Sequence, residues 1–327
     1  MQEHREQHPF SPIQVRTDMA IEARDIVRGE AHEEIPGVRV RDHQDRGVQI
    51  TEVEIYHEDA ERLMGKPKGH YITLDVPQFK NRDSTLKQGL AAVISEQLTP
   101  LLPQTPDLTI LVVGLGNWNA TPDALGPRVV DRLLVTRHLQ EIVPEDIRPR
   151  MRSVAAVAPG VLGTTGIETL DIIRGIVKEV HPDLVIAIDA LAARNLDRLV
   201  GSVQIADTGI HPGSGVGNRR QGLTEGALGV PVIALGVCTV VQAVSIAQEA
   251  ISLLTQQLAD DVKFYKILQQ MSLPEQKGLI DEVLGPRLGD LMVTPKEIDI
   301  LINDMADVLA EGLNRALQPQ LDRSEWA

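Results

Sequence analysis

The stretch LVVGLGNWNATPDALGP, residues 111–127, begins as an apolar strand, turns at two glycines and runs toward a helix. That is the layout of a nucleotide-binding βα unit, whose loop presents bare backbone N–H groups to phosphate. Here the loop carries Asn117, Trp118, Asn119 and a carboxylate, Asp123. The GxGxxG pattern needs glycine at 119 and finds asparagine. The later run GSGVGN fails in the same way at Asn218, and no GxxxxGK[ST] occurs. The glycines therefore read as tight strand-to-loop turns that need positive φ.

Outward from this stretch, residues 108–236 alternate apolar strands (LTILVVGLG, SVAAVA, DLVIAIDA, SVQIAD, VPVIALG) with amphipathic helices (PRVVDRLLVTRHL, GIETLDIIRGIVKEV). Such alternation predicts a three-layer αβα fold around a mostly parallel twisted sheet. Upstream, VQITEVEI and HYITLDV read as strands and LKQGLAAVISEQLTPLL as a helix. Residues 1 to about 48 show little apolar periodicity and read as a peripheral arm, in which Val15–Ala23 is an extended strand or an exposed peptide. The C-terminal part reads as extra helices, TVVQAVSIAQEAISLLTQQL and TPKEIDILINDMADVLAEGLNRAL. The second carries a capping box of Thr294 at N-cap, Pro295 at N1 and Glu297 at N3. Its stripe of Ile298, Leu301, Ile302, Met305, Val308 and Leu309 is core or a subunit contact.

With 327 residues and 43% apolar content the chain can bury a large core. No apolar run reaches the roughly 18 residues of a membrane span, and MQEHREQHPF lacks the layout of a signal peptide, so an intracellular protein is expected. The one cysteine, Cys238, has no disulfide partner in the chain, which suits a reducing compartment; it reads as a small buried hydrophobe. A formal charge of −14 argues against a direct nucleic-acid partner.

In an open parallel sheet, ligands bind beyond the carboxyl ends of the strands. That rule selects the loop with Asn117, Asn119 and Asp123, the loop with Pro159, Gly160 and Thr164, the turn expected at Asp189, and DTGIHPGSGVGN. Asp189 follows a buried-looking run, so low dielectric should raise its proton affinity. Asp123, in a first helical turn after Thr121 and Pro122, should be held ionised by backbone N–H groups. A pair so split suits hydrolysis, one carboxylate taking a proton from water while the other donates one. The same two residues also read as a helix-terminal aspartate and a turn former. With His211 they would make a metal-ligand set drawn from separate loops, although a lone histidine in a Gly/Pro-rich loop also serves as a hydrogen-bonding residue.

The runs FSPIQVRTDMAIEA, GHYITLDVP, LVVGLGNWNATPDALGPRVVDRLLVTRHL, AVAPGVLGTTGIET, PDLVIAIDALAARN, IADTGIHPGSGVGNRR and LGVPVIALGV, in order over about residues 10–250, resemble the germination proteases of spore-forming bacteria. The resemblance implies an atypical aspartic endopeptidase that initiates degradation of small acid-soluble spore proteins, with Asp123 and Asp189 as its catalytic aspartates and no required cofactor. It implies a fold similar to hydrogenase maturation endopeptidases and, more distantly, peptidyl-tRNA hydrolases. A divalent metal on Asp123, Asp189 and His211 stays open by analogy with the former. It further implies a self-processing zymogen, and RTDMA fits its cleavage pattern between Asp18 and Met19. The expected organisation is a propeptide over 1–18 and a single protease domain over 19–327, made of arm and strands 19–105, αβα core 106–247 and C-terminal helices 248–327. The family pattern implies a homotetramer in the cytoplasm of the forespore and spore core. The chain departs from that pattern at Cys238 and Gln242, where proline and aspartate are expected. A metal-assisted peptidase, a peptidyl-tRNA-hydrolase-like esterase and a noncatalytic peptide-binding factor are the alternatives.

Overall fold

A computed structural model describes residues 17–29, 34–105, 107–145, 147–213, 220–257 and 291–321. The described part of the arm does not stay peripheral. It forms helix α1 (Ala20–Arg28), and Met19, Ala20, Ile21 and Ala23 are buried against the sheet. The sequence hid this because the segment alternates apolar residues with charges that find partners far along the chain. An antiparallel meander comes next, β1 (Val38–Asp45), β2 (Val48–Ile55) and, after the short helix α2 (Glu58–Met64), β3 (Gly69–Asp75). β1 is the sheet edge, and its charged, mostly exposed residues discourage pairing with another chain.

Helix α3 (Ser84–Leu98) is capped by Asp83, whose carboxylate accepts from the N–H groups of Thr85 and Leu86. It leads to β4 (Thr109–Gly114), the strand of the 111–127 stretch. The helix expected over residues 127–139 is short, α4 (Leu125–Val130), and the remainder turns back. Then come β5 (Ser153–Val157), α5 (Leu162–Thr165), α6 (Thr169–Val180), β6 (Leu184–Ala193), β7 (Ser202–Ala206), α7 (Glu225–Leu228) and β8 (Val232–Gln242). Helix α8 (Ala243–Gln257), the short β9 (Met292–Val293) and α9 (Ile298–Leu317) complete the described chain. β8 thus runs on through residues 239–242, which the sequence pattern assigned to a helix.

The strand order is β1-β2-β3-β7-β8-β6-β4-β5, with β9 on β8. Pairs β5/β4, β4/β6 and β6/β8 are parallel, whereas β7 is antiparallel to both β8 and β3. The fold is the expected α/β type, with an antiparallel wing joined to its parallel half. Only residues 194–201 connect β6 to β7, too few for a parallel crossover, so β7 returns in the opposite direction.

The main core lies between one sheet face and helices α3, α4 and α9, and a second cluster packs α6 on the other face. The α9 stripe Ile298, Leu301, Ile302, Met305, Val308 and Leu309 is buried in the main core and is therefore not available as a subunit contact. α9 begins only at Ile298. Thr294 does not cap it, because its hydroxyl donates to the Thr239 carbonyl of β8 at 2.9 Å.

Candidate active site

The glycines of residues 111–127 bring α4 and the carboxylate loop against the end of β4. A Cβ on Gly114 would overlap the Gly126 backbone, and one on Gly116, at φ +114°, would overlap the Asp123 carbonyl oxygen. The loop closes on itself: the Asn117 N–H bonds both the Asp123 carboxylate, at 2.8 Å, and the Asp123 carbonyl, at 3.1 Å. The side-chain oxygen of Asn117 in turn accepts from the Asn119 N–H at 3.0 Å. Trp118 points outward with the Arg128 guanidinium over its ring. So the loop is filled by its own carboxylate. Asp123 closes a 3-10 turn, Thr121–Asp123, and does not occupy the first turn of α4. Burial raises its proton affinity, and the single Asn117 N–H opposes that effect without reversing it, so the net shift is upward where a helix terminus alone would lower it.

Asp189 lies within a strand, not in a turn. β4 ends with Gly114 opposite Ile188, while β6 continues beside β8 to Ala193, with a bulge at Leu191/Ala192. Asp189 is thus the first β6 residue beyond the end of β4. It is buried, and its carboxylate accepts from the Ala190 N–H at 2.9 Å. Burial first, then the charges of Asp123 and Asp18, push its proton affinity well above the ordinary carboxylate range.

Both aspartates line one cavity of about 560 Å³, together with Asp18, the 160–163 loop, Glu168 and Arg220. Glu168 and Arg220 form an ion pair at 3.7 Å. A second cavity of about 610 Å³ is lined by Asp18, Lys66, Gln204 and His211. The two cavities share Asp18. His211 lines the second cavity and not the first; its ring packs on Gly222, where a Cβ would lie 2.6 Å from Nε2. Among the described residues no group of three His, Cys, Asp or Glu side chains is arranged to hold a metal, so the set Asp123, Asp189 and His211 does not fit one. Residues 214–218 of the GSGVGN run and residues 1–16 of the expected propeptide lie outside the described residues.

Asp18 is fixed on both sides. Its N–H donates to the Ala192 carbonyl at 3.0 Å, and its carboxylate accepts from the Ala192 N–H at 2.9 Å. Met19 is fully buried among Leu191, Ala193, Leu199, Cys238 and Val241. Cys238 is a buried hydrophobe whose thiol is pushed up by burial, and Gln242 is buried beside β9. Glu22 anchors the segment by accepting from the N–H groups of Arg194 at 2.8 Å and Asn195 at 3.0 Å. It also pairs with Arg198 at 3.4 Å and accepts a hydrogen bond from the Thr17 hydroxyl. Neither Glu22 nor the pair Lys66 and Gln204 carried a sequence signal, because their partners lie far along the chain; Lys66 and Gln204 bond Asp18 from 48 and 186 positions away.

A buried and a half-buried carboxylate at the carboxyl edge of a three-layer α/β sheet, in a cleft that also holds a segment of the chain itself, make an arrangement suited to peptide hydrolysis. The profile of the germination protease family matches residues 16–266 and 260–327. Similar proteins named germination protease occur in Caldanaerobacter subterraneus, 51% identical over 95% of this chain and 96% of the relative, and in Clostridium tetani, 44% over 95% and 97%. Another, in Bacillus cereus, is 43% identical over 96% of each chain. The chain belongs to the germination protease family and is a peptidase of spore germination. A crystal structure of the [NiFe] hydrogenase maturation protease HycI from Thermococcus kodakarensis aligns with a TM-score of 0.30 and 21% identity, covering 44% of this chain and 80% of that one. Among the described residues no helix is long and apolar enough to cross a membrane.

Proposed function

We propose that the protein is an endopeptidase that starts the degradation of small acid-soluble spore proteins, is made as a zymogen, and removes residues 1–18 by cutting between Asp18 and Met19. The observation that carries this reading is that Asp18, whose carbonyl belongs to that bond, lines the same cavity as Asp123 and Asp189. The higher proton affinity of Asp189 suits the general acid, which protonates the departing Met19 nitrogen. Asp123, with one N–H on its carboxylate, suits the base that takes a proton from water. Residues 19–327 then form one protease domain acting in the spore-core cytoplasm. A homotetramer would have to be built on surfaces other than the apolar stripe of α9.

The test is cleavage of a small acid-soluble spore protein by the matured enzyme, wild type beside Asp189→Asn, with and without a chelator. Cutting by wild type, loss in the variant and indifference to chelator support the carboxylate pair. Loss of cutting with chelator brings metal back, and inactive matured wild type retires the endopeptidase reading.

A further inference from the structure

The carbonyl oxygen of Asp18 is held by two donors. Lys66 Nζ lies 2.8 Å from it and Gln204 Nε2 lies 3.2 Å from it. Lys66 also bonds the Thr17 carbonyl at 3.2 Å, and the Gln204 side-chain oxygen accepts from the Ala20 N–H at 2.7 Å. One buried amide on β7 thus grips the backbone on both sides of the Asp18–Met19 bond, while an ammonium from the turn between α2 and β3 faces its oxygen.

We infer that Lys66 and Gln204 form the oxyanion-binding element of this peptidase, an inference that rests on the proposed cut after Asp18. When the water oxygen bonds to the Asp18 carbonyl carbon, the water proton passes to the ionised carboxylate of the pair and the C=O π electrons move onto the carbonyl oxygen. Lys66 and Gln204 are the groups positioned to hold that charge. Collapse of the intermediate breaks the bond to the Met19 nitrogen, which takes the proton of the other carboxyl group. The donors come from the second cavity and the aspartates line the first, so Asp18, common to both, sits between acid–base groups and oxyanion donors. Because Lys66 and the Gln204 amide bind backbone atoms, the element reads peptide register and does not depend on side-chain identity.

The experiment tracks conversion of the full chain by mass spectrometry for wild type, Lys66→Met, Lys66→Arg and Gln204→Glu, each checked by thermal unfolding. Wild type is expected to yield a chain beginning at Met19. Lys66→Met, in a half-buried turn, is expected to fold and to process about 100-fold more slowly, the usual effect of removing one such donor. Lys66→Arg keeps the charge and should recover most of the rate. Gln204→Glu retains the acceptor for Ala20 but loses the donor to Asp18, and should also be slow. Wild-type rates in folded Lys66→Met would overturn the oxyanion role while leaving the proposed function intact. A wild-type chain that never ends at Asp18 would overturn both, and the mass of the products tells these two failures apart.

Discussion

Gly116 and Asp123 are in such close approach that no side chain fits between them: a Cβ on Gly116 would overlap the Asp123 backbone oxygen, and the residue already sits at φ +114°. The glycine that imitates a phosphate-binding motif is therefore what lets the loop hold its carboxylate over the cavity. Gly116→Ala combines backbone strain with overpacking and should cost about 2–5 kcal/mol. Chemical denaturation measures the loss. Cleavage activity at a temperature where the variant is still folded should fall at least about 10-fold, since even a small displacement of a reacting group is expensive.

Asp189→Asn should abolish cleavage while making the protein more stable at neutral pH. The proton affinity of Asp189 is raised in the folded state, so the folded protein binds more protons than the unfolded chain between the ordinary carboxylate pKa and the raised one. Wild-type stability falls as pH rises through that window, and asparagine removes the penalty. Each kcal/mol recovered raises Tm by about 1.5 °C in a chain of 327 residues. The gain should shrink toward zero below about pH 4, where aspartate is protonated in both states. Calorimetry at several pH values checks the sign; a variant destabilised at neutral pH contradicts it.

Glu22→Ala should loosen the N-terminal segment without unfolding the sheet. Glu22 receives two backbone N–H groups, from Arg194 and Asn195, in a half-buried place, and removing this charged acceptor should cost about 1 kcal/mol for each. Hydrogen exchange at residues 17–23 should accelerate, with the amides of β4 and β6 unchanged.

Cys238 should resist thiol reagents until the protein opens. It is fully buried, and burial holds the thiol well above its usual pKa, so little thiolate exists to react. Modification by a disulfide reagent should be slow in the native protein and at least about 100-fold faster in denaturant. Rapid native labelling would mean that the cluster around Met19 opens readily.

The apolar runs of β4, β6 and β8 were legible because a strand buried on both faces must be apolar throughout. What escaped depends on partners distant in sequence. Asp189 reads as the residue after a strand, since a carboxylate normally ends one. It remains within β6 because β8 alone carries the ladder on past Gly114. The antiparallel course of β7 is fixed by the shortness of residues 194–201, and Thr294 resembles a cap until β8 offers it a carbonyl. Asp123 and Asp189 were legible as candidates from the strand-end rule and the family resemblance. Lys66 looks like any lysine in a turn, and Gln204 like any polar strand residue, until Asp18 is folded between them.

Under the proposed cut after Asp18, the burial of Met19 would turn from an anchor into a liability. Its backbone nitrogen donates at 3.0 Å to the hydroxyl of Thr17, a residue that would leave with the severed piece. The new amino terminus would then be a positive charge next to the apolar cluster of Leu191, Cys238 and Val241, without its former acceptor. The act of cutting would thus evict its own plug, making the step one-way: hydration of the new ammonium drives the end of the segment out and clears the primed half of the cleft for the next chain. Faster hydrogen exchange at residues 20–23 after processing than before it is the signature of that ejection, and equal rates would refute it.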